Sequence, residues 1–195
     1  MNLANLLTAS RLVLAPVFFA LYMWGVPAGL PAAAVAIAMI ALFAFIELSD
    51  LLDGMAARSA GSTSSFGKLF DPFADVVARV TYFVCFAHAG VMPLWMLVVI
   101  LNREFSILFL RMLLAERGVA MGARPGGKAK AVLYMAAGAL SLAYLSLPVL
   151  GMALPPWSLA AVRAVYGIAV ALSVGSFIDY IIQFRKVMSS PPAPR

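Results

Sequence analysis

The chain has 195 residues, of which 64% are hydrophobic and 11% charged, and its mean hydropathy is +1.00; an ordinary soluble domain has about 45–50% apolar and about 25% charged residues. This composition excludes a water-soluble globule, and at roughly 20 apolar residues per membrane-spanning helix the length allows about six spans and no separate soluble domain. The net charge of +6 is scattered over the ends of apolar runs and forms no basic stripe, which argues against nucleic acid as a partner and for lipid head groups and phosphorylated ligands.

In chain order, residues 1–11 are polar enough to lie along the membrane interface as a short N-terminal helix before the chain turns inward. Spans are then predicted near 12–30, 32–57, 67–89, 92–116, 129–150 and 157–184, with Pro or Gly at most junctions (Pro27, Pro31, Gly90, Pro93, Pro155, Pro156) as turn signals. The first apolar run also reads as a cleavable signal segment, but five further spans make that the weaker reading. The expected architecture is all-α: an interfacial segment at 1–11, a six-helix membrane domain at 12–186 and a disordered Pro-rich tail at 187–195. The lone cysteine, Cys85, sits in an apolar run and reads as packing. The connections near 26–31, 88–94 and 149–156 contain no Lys or Arg, whereas Arg11, Arg58, Lys68, Arg117, Arg124, Lys128, Lys130, Arg185 and Lys186 collect on the other side. By the positive-inside rule both termini are then cytoplasmic.

The informative stretch is residues 49–75, which holds Asp50, Asp53, Asp71 and Asp75, four of the five aspartates in the chain. The i, i+3 spacing puts Asp50 and Asp53 on one face of the second helix, and the i, i+4 spacing does the same for Asp71 and Asp75 on the third. The two pairs are expected to approach each other across the loop from Ser59 to Phe66, at the cytoplasmic face. A single boundary aspartate could be an interfacial anchor. An acidic side chain within a span, however, costs about 2.5–3.5 kcal/mol on insertion scales, and four together repel unless cations intervene. Clustered carboxylates suit Mg2+ or Mn2+, and a pair of such ions is the usual arrangement for displacement at phosphorus. Gly54, Ala57 and Gly67 keep the surface between the acids low, as a nucleotide diphosphate close to the backbone requires, and Arg58 is a planar donor suited to phosphate.

The pattern Asp50-x2-Asp53-Gly54-x2-Ala57-Arg58-x8-Gly67-x3-Asp71-x3-Asp75 resembles, with every spacing intact, the signature of the CDP-alcohol phosphotransferase family. The resemblance implies a six-helix membrane enzyme, usually a homodimer among membrane lipids, that moves a phosphatidyl or related group from a CDP-linked donor to an alcohol and releases CMP. It also implies that Asp50, Asp53, Asp71 and Asp75 surround two divalent ions, that Asp75 is the general base, and that Gly54, Ala57, Arg58 and Gly67 lie against the CDP moiety.

Outside the signature, the opening Asn2-Leu-Ala-Asn5-Leu-Leu-Thr8-Ala-Ser-Arg11, then Asn102-Arg103-Glu104-Phe105 and Gly127-Lys128-Ala129-Lys130, are similar to the bacterial phosphatidylglycerophosphate synthase branch of the family, with Ala4 where a Pro is usual. That branch implies CDP-diacylglycerol as donor, glycerol 3-phosphate as acceptor and the bacterial inner membrane as location. Asn5 and Thr8 carry two readings of equal weight, nucleotide contacts and ordinary helix capping. Arg103, Arg111 and Lys128 are candidates for the acceptor phosphate, with snorkelling to head groups the alternative for Lys128 and Lys130. Two features depart from the branch: Val76 follows Asp75 where a Lys is common, and Glu47 adds an acid one turn before Asp50. An ion pair from Glu47 to Arg79 or Arg103 is expected, as scaffolding. His88, Arg163 and Asp179 read as structural. The competing readings are a family member with another acceptor (inositol phosphate, serine or another alcohol) and, more remotely, an intramembrane prenyltransferase or a cation transporter.

Overall fold

The computed structural model describes the backbone of residues 3–60, 67–116, 119 and 125–189, and their side chains except at 3–5, 50–60, 67–69 and 125–128. The described residues form six helices: α1 (Leu3–Trp24), α2 (Ala32–Ala60), α3 (Gly67–His88), α4 (Leu94–Glu116), α5 (Pro125–Val149) and α6 (Ser158–Ser189). Segments of α1 (Leu6–Trp24), α2 (Ala32–Ser49) and α5 (Ala129–Val149), and the whole of α6, are long and apolar enough to cross a membrane unaided, and the chain is an all-α integral membrane protein. At 1.5 Å per residue, α2 spans about 43 Å and α6 about 48 Å, both longer than the roughly 30 Å hydrocarbon layer. Both end on the side where the basic residues collect, so the Asp50–Arg58 stretch of α2 lies at the extended, polar end.

The remaining two helices, α3 and α4, carry Asp71, Asp75, Arg79, Arg103, Glu104 and Arg111, and their neighbours shield them. The third helix packs against α1, α4 and α5, α1 and α5 each contact α2, and α6 covers α4 and α5. At its centre α3 supplies Tyr82, Phe83, Cys85 and Phe86 to the main core, all essentially inaccessible. Tyr82 meets Phe43 of α2 edge-on at 5.1 Å between ring centroids, and Phe83 meets Tyr134 of α5 at 5.6 Å and Tyr166 of α6 at 5.5 Å. Such edge-to-face pairs lock rotation of the helix beyond what area burial supplies. Gly138 lets α5 close on α2: a Cβ there would stand 2.9 Å from the Phe43 ring.

The N-terminal segment differs from expectation. Residues 3–11 are continuous with the first span as the opening turns of α1, which runs unbroken from Leu3 to Trp24. Nothing between Leu3 and Arg11 breaks a helix, since Ala4 stands where a proline would favour a boundary, and Thr8 and Arg11 find partners in α3. At the opposite end of the bundle, Arg163 donates to the Gly90 and Val91 carbonyls at 2.8 and 3.3 Å, and the Tyr22 hydroxyl pairs with His88 Nδ1 at 2.8 Å. Arg163 and His88 therefore close turns far from the aspartates. Cys85 is a buried free thiol in the core.

Candidate active site

One face of α1 presents Thr8, Arg11, Ala15 and Phe18, spaced by three or four residues, and α3 answers with Asp71, Asp75, Ala78 and Tyr82. Ala15 and Ala78, both buried and packed with Ile46 of α2, bring the two helices close. Small residues at a membrane helix contact allow this. The polar ends of the two faces then meet. Arg11 Nη2 donates to Asp71 Oδ1 at 2.7 Å and Arg11 Nη1 donates to Asp75 Oδ1, while the Thr8 hydroxyl donates to Asp71 Oδ1 at 3.4 Å and accepts from Arg11 Nη2 at 3.3 Å. Arg11 is 1% exposed, whereas the Asp71 and Asp75 side chains are 44% and 22% exposed. The guanidinium thus lies on the protein side of the carboxylates, and the carboxylates face outward.

Beneath Asp75 is a cavity of about 10 Å3 walled by Arg11, Glu47, Asp75, Arg79 and Tyr82, with Ile46 and Ala78 as its apolar sides. It has room for about one water molecule. Tyr82 donates its hydroxyl hydrogen to Glu47, so the acid one turn before Asp50 is held by a tyrosine. Arg79 faces the same cavity as Glu47 and also lies over the Tyr134 ring, with Cζ 5.9 Å from the centroid. Of the two partners expected for Glu47, Arg79 is the one that interacts with its charge across this cavity, whereas helix packing turns Arg103 toward α6.

A second polar cluster joins α4, α5 and α6. Arg103 Nη1 donates to both oxygens of Glu104 at 3.1 Å, Arg103 Nη2 donates to Ser176 Oγ at 3.0 Å, and Lys130 Nζ donates to Glu104. Lys130 also stands 4.8 Å over the Tyr134 ring, whose hydroxyl donates to Ser173 Oγ at 2.7 Å. Arg111, two turns on from Arg103, lies beside Tyr180 of α6. Among the described residues the buried Nε atoms of Arg79, Arg103 and Arg111 have no hydrogen-bond partner. Buried donors are nearly always satisfied, so these positions offer capacity for an anion.

Of the residues singled out in the sequence, the structure brings Thr8, Asp71 and Asp75 together and places Arg103 and Arg111 on α4. The side chains of Asn5, Asp50, Asp53, Gly54, Ala57, Arg58, Gly67 and Lys128 lie outside the described residues; their backbones belong to α1, α2, α3 and α5. Among the described residues no three His, Cys, Asp or Glu side chains gather as a metal site, and two of the four aspartates are not among them. The donor set nevertheless fits a hard divalent cation: Asp71 and Asp75 each place an oxygen on one cationic group, the Arg11 guanidinium. Arg11 itself is the residue that sequence reasoning missed. It entered the sequence reading through topology and as the end of the N-terminal segment, without a site role, although its spacing of three from Thr8 is a visible signal.

Comparison with known proteins places the chain in one family. The family profile described as CDP-alcohol phosphatidyltransferase matches residues 1–175. The chain is 42% identical over 197 aligned positions to a CDP-diacylglycerol–glycerol-3-phosphate 3-phosphatidyltransferase of Treponema pallidum (strain Nichols), covering 96% of this chain and 91% of the relative. It is 36% identical to a probable phosphatidylglycerophosphate synthase of Mycobacterium tuberculosis (strain ATCC 25618 / H37Rv), covering 92% and 80%. It is 34% identical to a second CDP-diacylglycerol–glycerol-3-phosphate 3-phosphatidyltransferase, from Bacillus subtilis (strain 168), covering 66% and 70%.

Proposed function

Because the chain belongs to the CDP-alcohol phosphatidyltransferase family, we propose that it transfers the phosphatidyl group of CDP-diacylglycerol to glycerol 3-phosphate, forming phosphatidylglycerophosphate and CMP. The observation that carries the reading is the convergence of Asp71 and Asp75, at the open end of α3, on one cationic group in a chain whose α2 and α3 hold the whole family signature.

In the reaction, the terminal hydroxyl oxygen of the acceptor attacks the phosphatidyl phosphorus, the bond from that phosphorus to the CMP oxygen breaks, and CMP leaves with the electron pair. Asp75 takes the hydroxyl proton. Such general-base help is typically worth about 10²–10⁴-fold, and Arg11 holds Asp75 by one oxygen, which fixes the direction of the carboxylate. Asp50, Asp53, Asp71 and Asp75 would hold two divalent ions, Mg2+ or Mn2+, whose chemistry is to neutralise the diphosphate and polarise it toward attack. Gly54, Ala57, Arg58 and Gly67, with Asn5 and Thr8 from α1, would line the CDP side. Arg103, Arg111 and Lys128 would anchor the acceptor phosphate. The first two have buried Nε atoms without partners, and Glu104 fixes Arg103 in place. Holding the acceptor there orients its free hydroxyl toward the donor.

The basic-residue asymmetry supports cytoplasmic termini and an active site facing the cytoplasm; a bacterial inner membrane and a homodimer are what membership of the family implies. The test uses purified protein in detergent with CDP-diacylglycerol and Mg2+, offered glycerol 3-phosphate, inositol phosphate, serine and inositol separately while CMP release is measured. Release with glycerol 3-phosphate alone is expected. Release only with an unphosphorylated alcohol such as serine would remove the phosphate cradle and leave only the family.

A further inference from the structure

We propose that Arg11 is the resident counter-cation of the acidic site and that it holds the site's affinity for divalent ions down; the inference rests on the metal-binding reading above. Arg11 spends its two terminal nitrogens on one oxygen each of Asp71 and Asp75. These are charge-assisted bonds, roughly twice as strong as neutral ones. Its Thr8 contact comes from the same face of α1, and at 1% exposure the guanidinium is packed behind the carboxylates it holds.

Two consequences share one sign. An incoming ion competes with the guanidinium for carboxylate lone pairs, and where it does not displace those bonds it sits within a few ångströms of a like charge in a poorly solvated place. The opposing effect is that Arg11 pre-gathers two carboxylates that would otherwise repel. That effect is the smaller one, because α3 already holds Asp71 and Asp75 one turn apart on one face and the helix is locked by its aromatic contacts with α2, α5 and α6. Loss of Arg11 therefore tightens metal binding. A single bond to a charged group is worth about a factor of ten or more, so the expected gain is about tenfold.

The experiment titrates Mn2+ into the full-length, donor-free protein in detergent and follows free Mn2+ by electron paramagnetic resonance, with the Mn2+-induced rise in melting temperature as a second readout. Arg11→Gln should bind Mn2+ about tenfold more tightly than wild type and gain more in melting temperature from it. Arg11→Lys keeps a charge but, as a point donor, cannot span both carboxylates, so its affinity should fall between the two. If Arg11→Gln does not fold, Arg11→Lys decides alone. Affinity equal to or weaker than wild type in the folded variants overturns the inference. Asp71→Asn separates the two readings: Mn2+ binding that is indifferent to Asp71→Asn removes the metal reading itself, whereas binding lost in Asp71→Asn but unimproved by either Arg11 variant removes only the role of Arg11.

Discussion

Glu104 is the carboxylate on which the α4–α5–α6 cluster depends, and its replacement gives the sharpest test of that packing. It accepts from Arg103 through both oxygens at 3.1 Å and from Lys130, and the side chains of all three are below 10% exposed. Glu104→Gln keeps the shape and one acceptor oxygen but removes the negative charge that both buried cations, Arg103 and Lys130, are bonded to. An exposed pair would cost about 0–1 kcal/mol. A buried one broken from one side costs about 3–5 kcal/mol, because the orphaned charges stay buried. With no solvent at hand for Arg103 or Lys130, the upper range applies, which for a chain of this length lowers the melting temperature on the order of 10 °C. Reversible unfolding in mixed micelles with rising SDS measures the loss directly. The double variant Glu104→Gln with Lys130→Met should recover a large part of it, since one of the stranded cations is gone and its stem stays apolar. A Glu104→Gln protein within about 1 kcal/mol of wild type, or a double variant worse than the single one, would refute the reasoning.

Asp75→Asn should still bind CDP-diacylglycerol in an equilibrium assay while kcat falls by about 10²–10⁴-fold; an active variant reassigns the base. Arg111→Gln should raise KM for glycerol 3-phosphate by about tenfold or more and leave KM for the donor within twofold, because one substrate alone loses a charge-assisted bond; equal changes in both would place Arg111 outside the acceptor site. Gly138→Ala drives a Cβ to within 2.9 Å of the Phe43 ring and should cost about 1–3 kcal/mol by overpacking, read as a lowered melting temperature that Phe43→Leu in the same protein partly restores.

Hydropathy and short spacing determine the parts of this protein that depend on each segment's own relation to the bilayer. A run of apolar residues must be helical to satisfy its backbone in lipid, so all six helices follow from the sequence, four of them (α2 to α5) to within about four residues at each end, while α1 starts nine residues earlier than expected and α6 runs five residues further. The aspartate pairs are legible for a similar reason, as helical periodicity alone places Asp71 and Asp75 on one face. Partner choice is different. Arg11 bonds to residues 60 and 64 positions away and Lys130 to one 26 positions away. Glu47 goes to Tyr82, and Arg103 to Glu104 and Ser176 instead of to Glu47. An intramembrane charge must find some partner, which the sequence announces. Which partner it finds is set by how closely two helices approach and how each is rotated about its axis, and that depends on Ala15 against Ala78, Gly138 against Phe43 and the ring of aromatics around α3. The same packing ties the opening turns of α1 to α3: Thr8 and Arg11 are polar enough for an interface, but Asp71 and Asp75 on the neighbouring helix give them charged partners, and only the assembled bundle puts those carboxylates within reach.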